Sequence, residues 1–260
     1  MKKYKIFLFL FVVIAAFAFT QLKHKPVLYI IGDSTVKNGD GKSKNLLQGW
    51  GSFIDTFFDT TKITVENDAI GGRSSRTFIT EGRWDKIMAN LQKGDYVIMQ
   101  FGHNDSSPLD DTARARGTIK GIGEDSVATY NPIRKMNETV HTYGWYMSRY
   151  VRDAKSKGAV PIVCSPIPRN DWKDGKIARA NESYALWAKQ IATREGAFFI
   201  DLHNMISDVY DTQYGKEKVA TFFPNEHTHT NKEGAVINAE KVVEGIQSLK
   251  HCKLKNCLKK

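Results

Sequence analysis

The sequence VLYIIGDST, at residues 27–35, is the stretch around which the chain is organised. Its apolar start predicts a buried strand that stops at Gly32, and a carboxylate and two hydroxyls follow at once. Ligands of open parallel sheets bind at the carboxyl ends of the strands, so Ser34 is a candidate nucleophile. The alternative is that these polar side chains cap a helix, because Ser, Thr and Asp are all good N-cap residues. The motif by itself leaves both interpretations open.

Four further apolar runs predict a sheet that includes the first strand. They lie at residues 63–67, 96–101, 160–165 and 197–202, and helical patterns separate them. Near-continuous apolar runs are typical of strands that are covered on both faces. Right-handed crossovers between such strands predict an α/β protein with a three-layer α/β/α doubly wound sheet of about five parallel strands, the flavodoxin-like arrangement.

The segments between the strands contain predicted helices and one long insertion. Apolar residues at helical spacing predict helices at residues 50–58, 83–91, 137–157, 178–195, 203–210 and 233–249. Residues 106–135 show little helical or strand periodicity and are predicted to form a long loop. Loops of this length in compact domains are usually functional.

The two ends of the chain differ from its body. Three lysines precede an apolar run that ends in the Ala-Phe-Ala of residues 16–18, a small-x-small cleavage site. This pattern predicts a secretory signal peptide at residues 1–18 and a secreted or periplasmic location, with an uncleaved anchor as the alternative. Residues 19–249 are predicted to form a single domain, and residues 250–260 a basic, solvated tail.

The net charge of +10 is concentrated at the two ends. Residues 1–18 carry three lysines, residues 250–260 carry five, and neither segment contains an acid. The body of the protein is therefore close to neutral, which removes the main argument for a nucleic-acid partner. We expect no nucleic acid among the partners, and no membrane once the signal peptide is removed.

The three cysteines show no metal-binding pattern. Cys164 lies in an apolar run and is expected to be a small core residue. Cys252 and Cys257 could close a short disulfide loop in an oxidising compartment. The sequence contains no CxxC pair and no zinc-type spacing, so we expect neither a structural metal nor a cofactor.

Polar groups follow the first three predicted strands and precede the last predicted helix. Ser34, Gly72 and Asn104 each come after a strand, and Glu226 and His229 lie in the loop before that helix. Acyl transfer requires a hydroxyl nucleophile, a base, a carboxylate that orients the base, and donors for the oxyanion. Ser34, His229 and Glu226 would supply the first three. The donors would be the backbone N–H groups of Ser34 and Gly72 and the side-chain amide of Asn104.

Each of these residues also has a structural interpretation. Gly72 suits a turn, and Asn104 suits a turn cap. His227 and His229 would face the same way in an extended segment and could bind a metal, although the sequence offers no evident third ligand. Their order along the chain and their placement at successive strand ends favour the catalytic interpretation.

These motifs resemble the blocks of the SGNH (GDSL-like) hydrolases, namely GDST at 32–35, the glycine at Gly72, GHND at 102–105 and the acid-x-x-His at 226–229. Within that superfamily the chain is most similar to rhamnogalacturonan acetylesterases. The similarity rests on NDAIGGRSSR at 67–76, EGR at 81–83, GDYVI at 94–98, RGTIKGIGE at 116–124 and HTHT at 227–230. It covers nearly the whole mature chain and implies the SGNH form of the flavodoxin-like fold for residues 19–249.

One residue departs from the family pattern. The family usually has aspartate at the position of Glu226, whose side chain is one methylene longer. A glutamate can still orient an imidazole, and Glu226 is predicted to do so if the loop adjusts. Otherwise a backbone carbonyl or water would orient His229. Asp201, at the end of the fifth predicted strand, is the other candidate carboxylate.

The resemblance implies a monomeric, cofactor-free, secreted serine esterase that removes O-acetyl groups from a pectic polysaccharide, rhamnogalacturonan. Arg73 and Arg116, and with them Arg76 and Arg114, would bind galacturonate carboxylates, the alternative being a solvated or structural role for each. Two other functions stay open. One is a lipase or acylhydrolase of the same superfamily that acts on lipid or thioester substrates. The other is a catalytically weakened relative that binds carbohydrate.

Overall fold

The computed structural model describes residues 24–39 and 46–259, so the predicted signal peptide lies outside the described residues. The strands are β1 (Val27–Gly32), β2 (Thr64–Asn67), β3 (Tyr96–Gln100), β4 (Ser126–Asn131), β5 (Met136–His141), β6 (Val160–Cys164), β7 (Trp172–Lys173), β8 (Lys176–Ile177) and β9 (Phe198–Ile200). The α-helices are α1 (Ser75–Thr80), α2 (Arg83–Asn90), α3 (Tyr143–Ser156), α4 (Tyr184–Glu195), α5 (Leu202–Val209), α6 (Gly215–Ala220) and α7 (Lys232–Ser248). Within these ranges no helix combines the length and the apolar character needed to cross a membrane.

Five strands form one parallel sheet in the order β2-β1-β3-β6-β9. β1 lies between β2 and β3, and Ile30 of β1 is in register with Asn67 on one side and Ile98 on the other. This is the strand order of a flavodoxin-like doubly wound sheet, and the predicted three-layer fold is confirmed. Because the strands are parallel, their carboxyl ends share one edge of the sheet, where Ser34 follows β1.

Both faces of the sheet are covered, which explains the continuous apolar runs in the sequence. Leu28 and Ile30 of β1 belong to a core cluster that includes α5 and α7. Tyr29 and Ile31 belong to a second cluster that includes α3 and α4. Alternate side chains of a strand point to opposite faces, so each strand contributes apolar residues to both cores. The rigid layers fix where the strands end.

The helix predicted at residues 50–58 is wrong. The segment forms two short 3-10 turns, Trp50–Ser52 and Ile54–Phe57. The N–H groups of its first two residues donate to the carbonyl oxygens of Thr35 and Val36, and both N···O distances are 3.1 Å. The segment is therefore held against the turn that carries the candidate nucleophile, and this tertiary contact outweighs its helical pattern.

The helix predicted at residues 137–157 is wrong in its first part. Its first residues belong to β5, which pairs antiparallel with β4, and α3 begins only after the Thr142 side chain caps it. The turn of this hairpin is formed by Asn131, whose side-chain oxygen accepts hydrogen bonds from the N–H groups of Ile133 (2.9 Å) and Arg134 (3.0 Å). The predicted long loop thus contains one strand of a hairpin.

The prediction of a solvated tail is wrong for the apolar side chains of residues 250–259. Leu254 is fully buried in the core cluster of α5 and α7, and Leu258 forms an isolated bridge with Phe58. The lysines, with His251 and Asn256, give this segment its polar appearance in the sequence. Cys252 and Cys257 lie in the same segment as free thiols.

Candidate active site

The side chains predicted to act together meet at the carboxyl edge of the sheet. Ser34 follows β1, Gly72 follows β2, Asn104 follows β3, and His229 lies just before α7. All four line one open cavity of about 540 Å³. The parallel sheet therefore brings together residues that are up to 195 positions apart in sequence.

Ser34, His229 and Glu226 form a continuous chain of hydrogen bonds. His229 Nε2 lies 2.7 Å from Ser34 Oγ, and His229 Nδ1 lies 2.7 Å from Glu226 Oε1. A carboxylate can only accept, so Nδ1 carries the proton and Nε2 is left to accept from the serine hydroxyl. This is the tautomer that a histidine needs in order to act as a base toward a hydroxyl nucleophile.

Glu226 reaches the imidazole because its longer side chain folds back over its own loop. Its Oε1 also accepts from the His229 backbone N–H (2.6 Å), and its Oε2 accepts from the Thr228 N–H (2.8 Å). Burial alone would raise the pKa of Glu226, but the hydrogen bonds from His229 and Thr228 lower it below its usual value. The carboxylate therefore stays ionised, and the extra methylene is accommodated within four residues.

Asp201 lies elsewhere. Its carboxylate caps α5 by accepting from the Asn204 N–H and amide, and it accepts from the Ser165 hydroxyl. The structure thus brings Glu226, and not Asp201, to the imidazole of His229.

A buried hydrogen-bond network fixes the turn that carries Ser34. Trp50 Nε1 donates to Gln100 Oε1 (3.0 Å), and Gln100 Nε2 donates to Thr35 Oγ1 (2.7 Å). Thr35 in turn donates to Asp33 Oδ1 from both its hydroxyl (2.7 Å) and its N–H (2.9 Å). Every one of these side chains is buried. The backbone on either side of Ser34 is therefore held by groups from three separate segments.

His103 completes this network. Its Nδ1 lies 3.3 Å from Asp33 Oδ2, and its Nε2 lies 3.1 Å from the Ile167 carbonyl. Burial would raise the pKa of Asp33, but His103 and the hydrogen bonds from Thr35 lower it below its usual value. Sequence reasoning did not assign Gln100, Trp50 or His103 to the site. The only signal was that Gln100 and His103 flank the end of the third predicted strand.

Two candidate oxyanion donors are backbone groups. Gly72 has a φ of +76°, a conformation that side-chain-bearing residues rarely adopt, so its place in this turn requires glycine. Within the described residues, the N–H groups of Ser34 and Gly72 donate to no other backbone group outside helices and strands. Both donors remain available at the cavity that contains the Ser34 hydroxyl.

The third candidate donor, Asn104, is held at both ends of its amide. Its Nδ2 donates to the Arg73 carbonyl (3.0 Å), which leaves one N–H for a ligand. Its Oδ1 accepts from Arg116 Nη1 (2.8 Å). A cation on the amide oxygen withdraws electron density and makes the remaining N–H a stronger donor. Arg116 is itself fixed by the Ser107 hydroxyl (2.9 Å) and lies 3.7 Å from Asp111.

The arginines predicted to bind substrate occupy different environments. Arg73 pairs with Glu81 (3.0 Å) and donates to the Gly71 carbonyl (3.0 Å). Arg76 is fully buried and pairs with Glu138. Arg73 and Arg76 do not line the cavity of Ser34, whereas Arg114 and Arg116 do.

The two histidines of the loop have separate partners. His227 Nδ1 lies 2.7 Å from Asp171 Oδ1, whereas His229 contacts Glu226. In residues 24–39 and 46–259 no group of three or more His, Cys, Asp or Glu side chains is arranged to hold a metal ion.

Comparison with known proteins identifies the family. The model of the GDSL-like Lipase/Acylhydrolase family matches residues 30–236. The chain belongs to this family. It is thus a carboxylic ester hydrolase of the SGNH type, and the resemblance predicted from the motifs is confirmed.

Several characterised or solved proteins are similar to this family member. It is 32% identical over 220 residues to the rhamnogalacturonan acetylesterase of Emericella nidulans, covering 84% of each chain. It is 28% identical over 240 residues to the rhamnogalacturonan acetylesterase RhgT of Bacillus subtilis, covering 86% of this chain and 91% of that one.

Solved structures share the fold. YxiM of Bacillus subtilis superposes with a TM-score of 0.69 at 24% identity, over 86% of this chain and 56% of that one. Axe2, an acetylxylan esterase from Geobacillus stearothermophilus, superposes with a TM-score of 0.58 at 19% identity, over 86% of this chain and 95% of that one. At these identities the two superpositions establish the sheet and its helices as the SGNH fold.

Proposed function

We propose that this enzyme is a secreted serine carbohydrate esterase that removes O-acetyl groups from a pectic polysaccharide, rhamnogalacturonan. The observation that carries the proposal is the hydrogen-bonded chain from Ser34 through His229 to Glu226, each contact 2.7 Å, at a cavity lined by the three candidate oxyanion donors. A nucleophile, a base, an orienting acid and oxyanion donors are the parts that ester cleavage requires.

Acylation begins when Ser34 Oγ attacks the carbonyl carbon of the acetyl group. His229 Nε2 takes the hydroxyl proton, and the imidazolium is stabilised by ionised Glu226. The oxyanion accepts hydrogen bonds from the N–H groups of Ser34 and Gly72 and from the amide of Asn104. When the C–O bond to the sugar breaks, His229 returns its proton to the sugar oxygen, and the alcohol leaves.

Deacylation repeats these steps with water. His229 takes a proton from a water molecule, whose oxygen attacks the carbonyl carbon of the acetyl-Ser34 ester. The same donors hold the second oxyanion, and the proton passes from His229 to Ser34 Oγ as acetate leaves. The enzyme returns to its starting state with no cofactor.

The lining of the cavity supports a carbohydrate ester over a lipid. Besides the catalytic residues it contains Gly71, Asp111, Arg114 and Arg116, with Ala113 as an apolar member. An acyl-chain site would require a largely apolar groove. The rhamnogalacturonan acetylesterases to which the chain is similar supply the choice of polysaccharide.

Acetate release tests the proposal. Wild type should release acetate from acetylated rhamnogalacturonan and from p-nitrophenyl acetate, and Ser34→Ala should release it from neither. Faster cleavage of long-chain esters than of acetylated polysaccharide would instead identify a lipase. Equal inactivity of wild type and Ser34→Ala would identify a binding protein.

Secretion is tested on the protein recovered from outside the cytoplasm of an expressing cell. Its N-terminal sequence should begin directly after residue 18. Retention of the full N-terminus in a membrane fraction would contradict the predicted cleavage.

A further inference from the structure

Arg114 places a positive charge against the glycine turn of the active site. Its Nη1 lies 3.3 Å from the Gly71 carbonyl oxygen. A Cβ on Gly72 would lie only 1.2 Å from the same Nη1, so the guanidinium occupies the space that a side chain would otherwise fill. The guanidinium and the Ser34 hydroxyl line the same cavity. Because Gly72 has no side chain, the Arg114 guanidinium can lie against this candidate oxyanion donor.

Within residues 24–39 and 46–259 this cation has no anionic partner. No carboxylate of the described residues lies within 4.0 Å of the Arg114 guanidinium. Of the four arginines predicted from the sequence to bind substrate, the other three are engaged: Arg73 by Glu81, Arg76 by Glu138, and Arg116 by Asn104 and Asp111. Arg114 is thus the arginine of the cavity whose charge remains available to a ligand.

A second cation approaches the same turn from the side of the nucleophile. A Cβ on Gly71 would lie 3.7 Å from Ser34 Cβ and 3.8 Å from Lys37 Cδ. Lys37 is exposed, so its ammonium group is free to move over the rim of the cavity. Arg114 and Lys37 therefore flank the Gly71–Gly72 turn on two sides, within reach of a molecule bound at Ser34.

We propose that Arg114 selects acidic sugars by binding a uronate carboxylate beside the acetyl ester that Ser34 attacks. Lys37 attracts the same carboxylate more weakly and without a fixed hydrogen-bond geometry. An acetylated uronate carries its carboxylate and its acetyl ester on one sugar ring. A cation next to the oxyanion hole can therefore bind the carboxylate while Ser34 attacks the ester. The planar guanidinium matches a carboxylate with two parallel hydrogen bonds. This inference rests on the proposed function, because it names the charge of the substrate of the same site.

The test compares two forms of one substrate. Acetylated rhamnogalacturonan oligosaccharides are used with free carboxylates and with the carboxylates methyl-esterified, and p-nitrophenyl acetate serves as an uncharged third substrate. Wild type should prefer the free-acid form, and Arg114→Gln should lose that preference. Glutamine removes the charge and keeps a polar side chain.

We expect Arg114→Gln to lower kcat/KM on the free-acid form by roughly ten- to a hundredfold, mainly through KM, as for loss of a charged hydrogen bond. The decisive quantity is the ratio of the rates on the free-acid and methyl-esterified forms, because loss of a cation beside the oxyanion hole also slows all three substrates by a common factor. Arg149→Gln, which removes an arginine charge from the outer side of α3, is the matched control and should leave all three rates unchanged. Arg114→Lys should keep part of the preference because it keeps the charge without the planar fork.

Salt gives a second measurement that needs no variant. The preference of wild type for the free-acid form should shrink as salt rises from about 0.01 to 1 M, because the screening length falls from about 30 to 3 Å. The inference is overturned if wild type cleaves both forms equally, if Arg114→Gln slows all three substrates alike, or if Arg149→Gln has the same effect. If wild type cleaves p-nitrophenyl acetate but neither oligosaccharide, the proposed function itself has failed.

Discussion

The turn after β1 and the loop before α7 each deliver one catalytic side chain, but they are held in different ways. In the turn, Asp33 and Thr35 are buried, at 0% and 2% exposure, and are fixed by Gln100 and His103 from β3 and the loop after it. In the loop, Glu226 and His229 are partly exposed, and the hydrogen bonds of Glu226 stay within four residues.

This difference indicates how activity and stability are linked at the two places. The position of the nucleophile depends on the packed interior, so disturbing it should reduce both stability and activity. The carboxylate that orients the base is held only by its own loop, so removing that carboxylate should reduce activity with a smaller loss of stability. The five variants that follow are ordered by the size of the expected effect. Four of them test one side of this contrast, and Arg116→Gln tests the arginines of the cavity between the two sides.

Ser34→Ala should have the largest effect on activity. The hydroxyl is the nucleophile, so kcat/KM for p-nitrophenyl acetate should fall by at least about 10⁴-fold. The Oγ contacts His229 and takes no part in the buried network, so thermal stability should stay unchanged. A large loss of stability in calorimetry would show that the side chain itself, and not only its neighbours, supports the turn.

Glu226→Ala should lower kcat by roughly 10²- to 10⁴-fold, less than Ser34→Ala, because an orienting group matters less than a nucleophile. The His229 N–H that it leaves free is exposed, whereas the Thr228 N–H is partly buried, so the free energy of unfolding should fall by about 1 kcal/mol at most. Glu226→Asp, which restores the carboxylate usual in the family, should recover part of the rate. Equal losses for Glu226→Ala and Ser34→Ala would contradict the ranking.

Gln100→Leu tests the buried side of the contrast. It leaves the Trp50 Nε1–H without an acceptor and the Thr35 hydroxyl without a donor, so the free energy of unfolding should fall by about 2–3 kcal/mol. The turn loses its support, and kcat per folded molecule should fall as well. Gln92→Leu is the control, since the Gln92 side chain is exposed and should change stability by less than about 0.5 kcal/mol. A stable and fully active Gln100→Leu variant would contradict the conclusion that the buried network positions Ser34.

The sequence predicted the sheet and the meeting of the catalytic residues because both depend on simple patterns. Strands covered on two faces are apolar throughout, and the carboxyl ends of parallel strands share an edge. The positions of Ser34, Gly72 and Asn104 follow from those two rules. The remaining site residues, Glu226 and His229, are predicted from their residue types, from their place before the last helix and from the family resemblance.

The errors share a physical origin in long-range contacts. Residues 50–58 have a helical pattern, yet their backbone bonds to Thr35 and Val36, which lie fifteen positions upstream. The support of the turn by Gln100 has no signature in either segment alone. Arg73 and Arg116 looked like free cations because a sequence does not show which carboxylate or amide lies beside a charge.

Arg116→Gln separates the two arginines of the cavity. Arg116 acts through Asn104, so its loss should lower kcat by about tenfold, a fraction of the hundredfold or more that loss of a whole oxyanion donor costs. The effect should be the same for acidic, neutral and p-nitrophenyl esters, with KM little changed, because every substrate forms the same oxyanion. Arg114→Gln should instead slow the acidic substrate more than the other two. A loss confined to the acidic substrate in Arg116→Gln would return this residue to the substrate-binding role predicted from the sequence.

Asp105→Asn tests the buried side of the site through the pH dependence of the free energy of unfolding. Asp105 is buried beside Ser75, which donates to it at the start of α1. Burial raises the pKa of Asp105 to about 7, against the opposing hydrogen bonds from Ser75. Between about pH 4, where an unfolded aspartate ionises, and pH 7, only the unfolded state is ionised, so wild type should lose stability as pH rises. Glu226, with its lowered pKa, has the opposite sign, since its stabilising contribution is lost as pH falls.

The asparagine has no proton to lose, so the two proteins should differ in a pH-dependent way. Relative to wild type, Asp105→Asn should gain stability between pH 5 and pH 7 by up to about 1.4 kcal/mol per pH unit, and the difference should then level off. Urea unfolding of both proteins across pH 5–8 measures this difference directly. A constant difference would show that Asp105 is ionised in the folded protein, and the buried side of the site would then carry a charge that Ser75 alone has to stabilise.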